Sequence, residues 1–115
     1  MKKYVILIPV YNDRESLTKL IENINSEIEG INSEISIVVI NDASSQQIID
    51  EYQNTENINS IEIINMKENR GHARCIASGL KYIYEKKEFD YVIPMDGDGE
   101  DRPEEIKEFI NQIQN

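Results

Sequence analysis

The polarity pattern of the chain changes period several times. YVILIPV (residues 4–10) is an unbroken apolar run rich in β-branched residues, the signature of a strand buried on both faces. Leu17, Leu20, Ile21, Ile24 and Ile28 then recur at helical spacing, and Asn12 with Glu15 has the form of a capping box, predicting a helix that ends near Gly30. ISIVVI (residues 35–40) reads as a second buried strand. After it, Ser44 or Ser45 can cap a short helix carrying Ile48, Ile49 and Tyr52. SIEII (residues 60–64) is a weaker third strand. Residues 70–86 predict a helix burying Ile76, Leu80, Ile83 and Tyr84, with Ala73, Ala77 and Gly79 allowing close approach to a sheet. YVIPM is the fourth strand, and Pro103 followed by Glu104 and Glu105 opens a last helix bearing Ile106, Phe109, Ile110 and Ile113.

Strands that alternate with helices of this length predict an α/β fold. The expected form is a Rossmann-like three-layer sandwich with a mainly parallel sheet and helices on both faces. Every strand then ends on the same edge, where ligands bind in such folds. The segments gathered there are PVYND, NDASS, NMKENRGHAR and MDGDGED, the most polar and turn-prone stretches of the chain. At 115 residues the chain is expected to form one domain over residues 1–115.

Charge narrows the range of ligands. The net charge of -10 argues against nucleic acid or an anionic membrane surface held by bulk electrostatics, so an anionic ligand needs a cation or a local basic pocket. Arg70, His72 and Arg74 form a basic cluster at the start of a helix, where backbone amides favour anions. His72 reads more simply as a surface or capping residue, and the arginines as partners of nearby acids. Cys75 is the only cysteine, which excludes a disulfide framework and points to a reducing, cytoplasmic compartment and a buried thiol. The first apolar run lacks a cleavage site and is too short to span a bilayer.

Asp96, Asp98, Glu100 and Asp101 crowd into six residues directly after the fourth strand. Asp96 and Asp98 can present hard oxygen ligands to Mg or Mn, although a D-x-D by itself is more often a solvated turn. An EF-hand is excluded because its glycine and closing glutamate positions hold Asp101 and Lys107. No classical phosphate loop and no Ser/His/Asp or Cys/His arrangement occurs. Tyr11 can stack on a flat ring or pack, and Asp42 can accept from a base or ribose or cap a helix.

Taken in order, VILIPVYNDRESL, VVINDASS, NRGHARCIASGL and DYVIPMDGDGEDRPEEI resemble the nucleotide-sugar-binding half of family 2 glycosyltransferases, which have the GT-A fold. The resemblance covers essentially the whole chain. It implies a UDP- or GDP-sugar donor and transfer to an acceptor hydroxyl or, as the DGDGEDRPEE form suggests, a polyprenyl phosphate. Pro9, Tyr11 and Asp13 match the opening nucleotide-contacting motif, with Asp13 where the family more often has Glu. Asp42 matches the acid that contacts the base, and Gly71 and Arg74 the segment near the ribose and phosphates. Asp98 would hold the metal, and Asp96 would face the ribose or the metal shell.

The family's catalytic base follows the D-x-D by many tens of residues, so no catalytic residue is assigned. The chain is expected to be an N-terminal portion that binds donor without turning over alone. Its fourth strand should lie at an exposed edge that invites homodimerisation. Any membrane association, at the inner face in a full-length form, would come through other segments. A noncatalytic nucleotide-binding or assembly module is the alternative. A receiver domain fits poorly, since NMKEN lacks the phosphoacceptor aspartate.

Overall fold

The computed structural model describes residues 1–45, 52–96 and 103–114. Their elements are β1 (Lys2–Val10), α1 (Arg14–Glu27), β2 (Ser33–Asn41), β3 (Ser60–Asn65), α2 (His72–Lys86), β4 (Tyr91–Pro94) and α3 (Glu104–Gln114). The four strands form one all-parallel sheet in the order β3-β2-β1-β4. The expected strands and sheet are therefore present. The proposed helix around Ile48 and Ile49 lies outside the described residues.

Parallel pairing buries β1 and β2 on both faces, which is why neither shows polar alternation. Tyr4, Ile6, Ile8 and Val10 point to one side, where Leu17, Ile21 and Ile24 of α1 and Ile106 and Ile110 of α3 complete the larger core. Val5, Leu7, Val38 and Ile40 point to the other side and meet Cys75 and Ile83 of α2. Among the described residues, no helix is long and apolar enough to cross a membrane.

Two local expectations need correction. Helix α1 is capped by Asp13, whose carboxylate accepts the Ser16 N–H, and not by Asn12. Asn12 has φ 50° and its Oδ1 accepts from both the backbone and the hydroxyl of Ser45, so it is bound to the neighbouring loop. Helix α2 buries Cys75, Gly79 and Ile83, whereas Leu80 and Tyr84 are 41% and 80% exposed and Ala73 and Ala77 face solvent. The helix has two apolar stripes, and the sheet takes the one with the smaller side chains because that one lets the backbones approach.

The approach is closest at Gly79, where a Cβ would stand 2.4 Å from Leu7 Cδ1 and 3.0 Å from Ile40 Cγ1. The far end of α2 is held differently. Tyr82 donates to Glu62 Oε2 at 2.6 Å and Lys87 pairs with Glu62 Oε1, fastening the helix to β3 at the sheet's edge.

The sheet's opposite edge is β4, as expected. Pro94 suits that position: Met95 N donates to Leu7 O at 2.8 Å, so by alternation the nitrogen of residue 94 faces away from β1 and no ladder bond is lost.

Replacing Gly79 with Ala tests the close approach. The added methyl gains about 1 kcal/mol of helix propensity but overpacks a site where Leu7 and Ile40 cannot swing into solvent, at roughly 1–3 kcal/mol. A net loss on the order of 1 kcal/mol is expected, read as a lower urea midpoint at unchanged slope. A higher midpoint would refute the packing argument.

Candidate functional site

Strand order places a gap at the sheet's carboxyl edge. From β1 the chain moves outward to β2 and β3, then returns to lay β4 on the other side of β1. Loops leaving β1 and β4 therefore diverge, and ligands of open α/β sheets bind at such points. Pro9 helps to open the gap. Lys3 and Leu7 direct their carbonyls to β4, so the next donor on that side would be the nitrogen of residue 9, and proline has no hydrogen there. Pairing stops at Leu7 with Pro94, and the two chains part.

The resulting cleft, of about 350 Å³, is lined by Pro9, Val10, Tyr11, Asp13, Asp42, His72, Cys75 and Asp96. Five of the sequence-derived candidates, Pro9, Tyr11, Asp13, Asp42 and Asp96, thus meet on one wall system. Gly71 stands at the head of α2 beside it. Arg74 is exposed on the first turn of α2 and is not part of the lining. Asp98 lies outside the described residues, as do Glu100 and Asp101.

Asp42 is the most enclosed of these acids, at 4% exposure. Its Oδ1 accepts the Arg70 N–H at 2.7 Å and its Oδ2 the Gly71 N–H at 3.0 Å. Gly71 is required by its backbone, which takes φ 85°, and not by space, since nothing lies within 4 Å of where a Cβ would be. Burial alone would raise the Asp42 pKa. The hydrogen bonds from Arg70, Cys75 and Gly71 outweigh it and hold the carboxyl below its usual value. The same contact works the other way on the thiol: burial first, then Asp42, push Cys75 up to about 11. Cys75 is accordingly a protonated donor and not a nucleophile.

A chain of amide side chains braces the loops around the cleft. Ser44 Oγ accepts the Asn12 N–H at 2.9 Å, Ser44 N donates to Asn41 Oδ1 at 3.1 Å, and Asn41 Nδ2 donates to Asn65 Oδ1 at 2.9 Å. These contacts join the ends of β1, β2 and β3. Tyr11, between the braced residues and α1, is left 54% exposed at the cleft.

The residue that sequence reasoning left out of the site is His72. Its Nε2 lies 3.0 Å from Asp96 Oδ1, across the gap between α2 and the end of β4. The available signal was its place immediately after Gly71, at the head of a helix on the ligand edge. No sequence feature gave its distance to Asp96.

Substituting Asn for Asp42 keeps the shape but presents an amide N–H to one of the two backbone donors. A loss of about 1–3 kcal/mol is expected from the unpaired buried N–H. Because the folded-state pKa is lowered, the wild-type advantage should be complete above the ordinary carboxyl value of 3.8 and disappear as pH falls through the lower folded value. Urea titrations of both proteins from pH 7 down to pH 3 check this. A gap that stays constant over that range would show that the charge is irrelevant.

Comparison with known proteins places this geometry in a family. The sequence profile of glycosyl transferase family 2 matches residues 5–115. An uncharacterized glycosyltransferase of Synechocystis is 30% identical over 111 residues, covering 93% of this chain and 33% of that protein. An uncharacterized protein of Methanocaldococcus jannaschii is 23% identical over 113 residues, covering 96% of this chain and 46% of the relative. The chain thus spans a third to about half the length of these relatives. Among solved structures, S. aureus TarS (residues 1–349) superimposes with a TM-score of 0.70 at 24% identity, covering 99% of this chain and 32% of TarS. That likeness extends the agreement to the fold, an all-parallel α/β sheet of the GT-A kind. With a family profile matched along nearly its whole length, the chain belongs to glycosyl transferase family 2.

Proposed function

We propose that residues 1–115 are the donor-binding domain of a metal-dependent sugar transferase and that the cleft takes the diphosphate and nucleoside of a UDP- or GDP-sugar. The observation that carries the reading is the convergence of Tyr11, Asp13, Asp42 and Asp96 on one cleft where β1 and β4 part, in a family 2 chain.

Each residue has a role that its surroundings support. Tyr11, with a half-exposed ring, stacks on the base. The Asp42 carboxylate accepts two backbone N–H groups and the Cys75 thiol hydrogen, which leaves it one lone pair for a donor on the base. The diphosphate lies toward the head of α2, whose leading amides favour anions, with Gly71 allowing close approach and Arg74 within the same turn.

The chemistry of the donor set fits a divalent cation. Asp96 offers a hard carboxylate oxygen on the cleft wall, the donor type that Mg and Mn take, and Asp98 would supply a second. A cation that Asp96 and Asp98 held would supply positive charge to offset what collects on the leaving diphosphate. Transfer breaks the bond from the anomeric carbon to the diphosphate and forms one to an acceptor hydroxyl or polyprenyl phosphate. The base that inverting transfer needs is assigned to no residue of this chain.

Calorimetric titration of UDP and GDP, each with Mn and with EDTA, tests the reading on the native chain, Asp96→Ala and Asp98→Ala. Binding should require the metal and weaken by about tenfold or more in each variant, and the tighter nucleotide identifies the base. Equal affinity in EDTA, or no binding at all, would leave a noncatalytic module.

The outer edge of β4, which pairs with no further strand among the described residues, is proposed to pair with a second copy. Sedimentation velocity over a hundredfold range of concentration should then show a rising weight-average mass. A constant monomer mass counts against pairing.

A further inference from the structure

We infer that Asp42 selects a uridine over a guanosine nucleotide, because the pair of carboxylate lone pairs that guanine needs is already engaged by the backbone leading into α2. The inference rests on the donor-site reading above, in which Asp42 faces the base, and adds to it which base that is.

A carboxylate takes a fork of two parallel donors only on the side where one lone pair of each oxygen faces the same way; its other two lone pairs point outward, to opposite sides. The Arg70 N–H bonds Oδ1 at 2.7 Å and the Gly71 N–H bonds Oδ2 at 3.0 Å, one consecutive peptide donor to each oxygen. Donors one residue apart approach from one direction, so together they fill the fork. Asp42 is buried, and a ligand that displaced these amides would leave them without partners inside the fold. The base therefore meets only outward lone pairs. Cys75, fully buried in the wall of the same cleft, directs its thiol hydrogen to one of them. One acceptor position is left.

The two bases differ in how many acceptors they ask for. Guanine presents two adjacent parallel donors, its ring N1–H and its exocyclic amino group, and a carboxylate recognises them as a fork. Uracil presents a single donor, N3–H, between two carbonyl oxygens. Against Asp42, guanine would keep one donor unpaired in a buried contact, a loss that uracil does not meet. The oxygens that flank uracil N3 call instead for donors. Asn69, whose Nδ2 donates to the Asp42 carbonyl at 3.4 Å, brings a side-chain amide with a second hydrogen to this neighbourhood. One acceptor beside a donor matches the edge of uracil and mismatches that of guanine.

Calorimetric titration of the native chain in Mn with UDP, N3-methylated UDP, GDP and inosine diphosphate decides the matter. Inosine diphosphate is GDP without the exocyclic amino group, so it keeps one ring donor and asks for one acceptor. UDP should bind about tenfold or more tighter than GDP, and methylation at N3 should cost UDP about the same factor. Inosine diphosphate should bind tighter than GDP, although it has fewer polar groups to offer. Asp42→Asn, shown by its urea transition to be folded, should lose most of the preference for UDP; the nucleotide series on the native chain stands whether or not that variant folds. GDP binding as tightly as UDP, or tighter than inosine diphosphate, would overturn the assignment and leave the donor site standing. So would N3-methylated UDP that binds like UDP, or a folded Asp42→Asn with the preference unchanged. No binding of any of the four by the native chain would overturn the donor-site reading and this inference with it.

Discussion

The Asp42 carboxylate, buried at the end of β2, accepts the backbone N–H groups of Arg70 and Gly71 and so determines where α2 begins and which way its first turn faces. A buried acid is tolerated only when its oxygens are satisfied. Here the donors come from the segment that must be positioned, so the requirement to satisfy the acid and the placing of the helix are one constraint. Cys75, one turn into the helix, adds its thiol hydrogen from the same side, and burial keeps that hydrogen in place. Gly71 makes the arrangement sterically possible, because presenting two successive N–H groups to one carboxylate takes the chain through φ 85°.

From that anchor the rest of the ligand edge follows in order. The α2 backbone is drawn toward the sheet until Gly79 meets Leu7 and Ile40, which sets the depth of the helix. Its first side chain then comes within 3.0 Å of Asp96, just past the strand that lies across the topological switch from Asp42. The head of α2 stands between two aspartates, each just past a strand that flanks β1. Pro9, by denying β4 a further ladder bond, keeps the space between them open. A cleft with pinned walls needs little ordering when it fills, which lowers the entropic cost of binding.

Most of the fold was legible because strand burial in a parallel sheet leaves uninterrupted apolar runs, and YVILIPV, ISIVVI and SIEII all became strands. The edge position of YVIP was expected from the family resemblance and not from local pattern, although its proline suits an edge. Side-chain choices on α2 were legible in part: the buried Cys75 thiol, Ile83 and the close approach at Gly79 follow from the sequence, whereas hydrophobic size also selects Leu80 and Tyr84, which the sheet leaves out because approach distance outweighs the area of a single large side chain when two backbones can come close. Asn12 misled for a related reason. Its form suits an N-cap, but its left-handed backbone and its bonds to Ser45 belong to a loop 33 residues away, and local pattern carries no information about such a partner. The cleft-lining set was readable as a list of residues at strand ends. The pairing of His72 with Asp96 was not, because it depends on the angle at which α2 leaves its anchor.

Hydrogen-bond accounting also separates the acids that a sequence presents as equivalent. Asp13 spends an oxygen on the Ser16 N–H at the head of α1, and Asp42 spends both on the head of α2. Each is tied to backbone, and removing either would leave donors unmet within the fold. Asp96 bonds no backbone group among the described residues; its one partner there is the His72 side chain, and the residue lines the cleft. In an acidic chain of net charge -10, carboxylates that hold their own backbone are already compensated, so the repulsion left uncompensated at the sheet's edge is concentrated on Asp96 and whatever acids follow it. The same accounting makes Asp42 the acid whose loss should cost stability first, and leaves Asp96 as the acid the fold can spare.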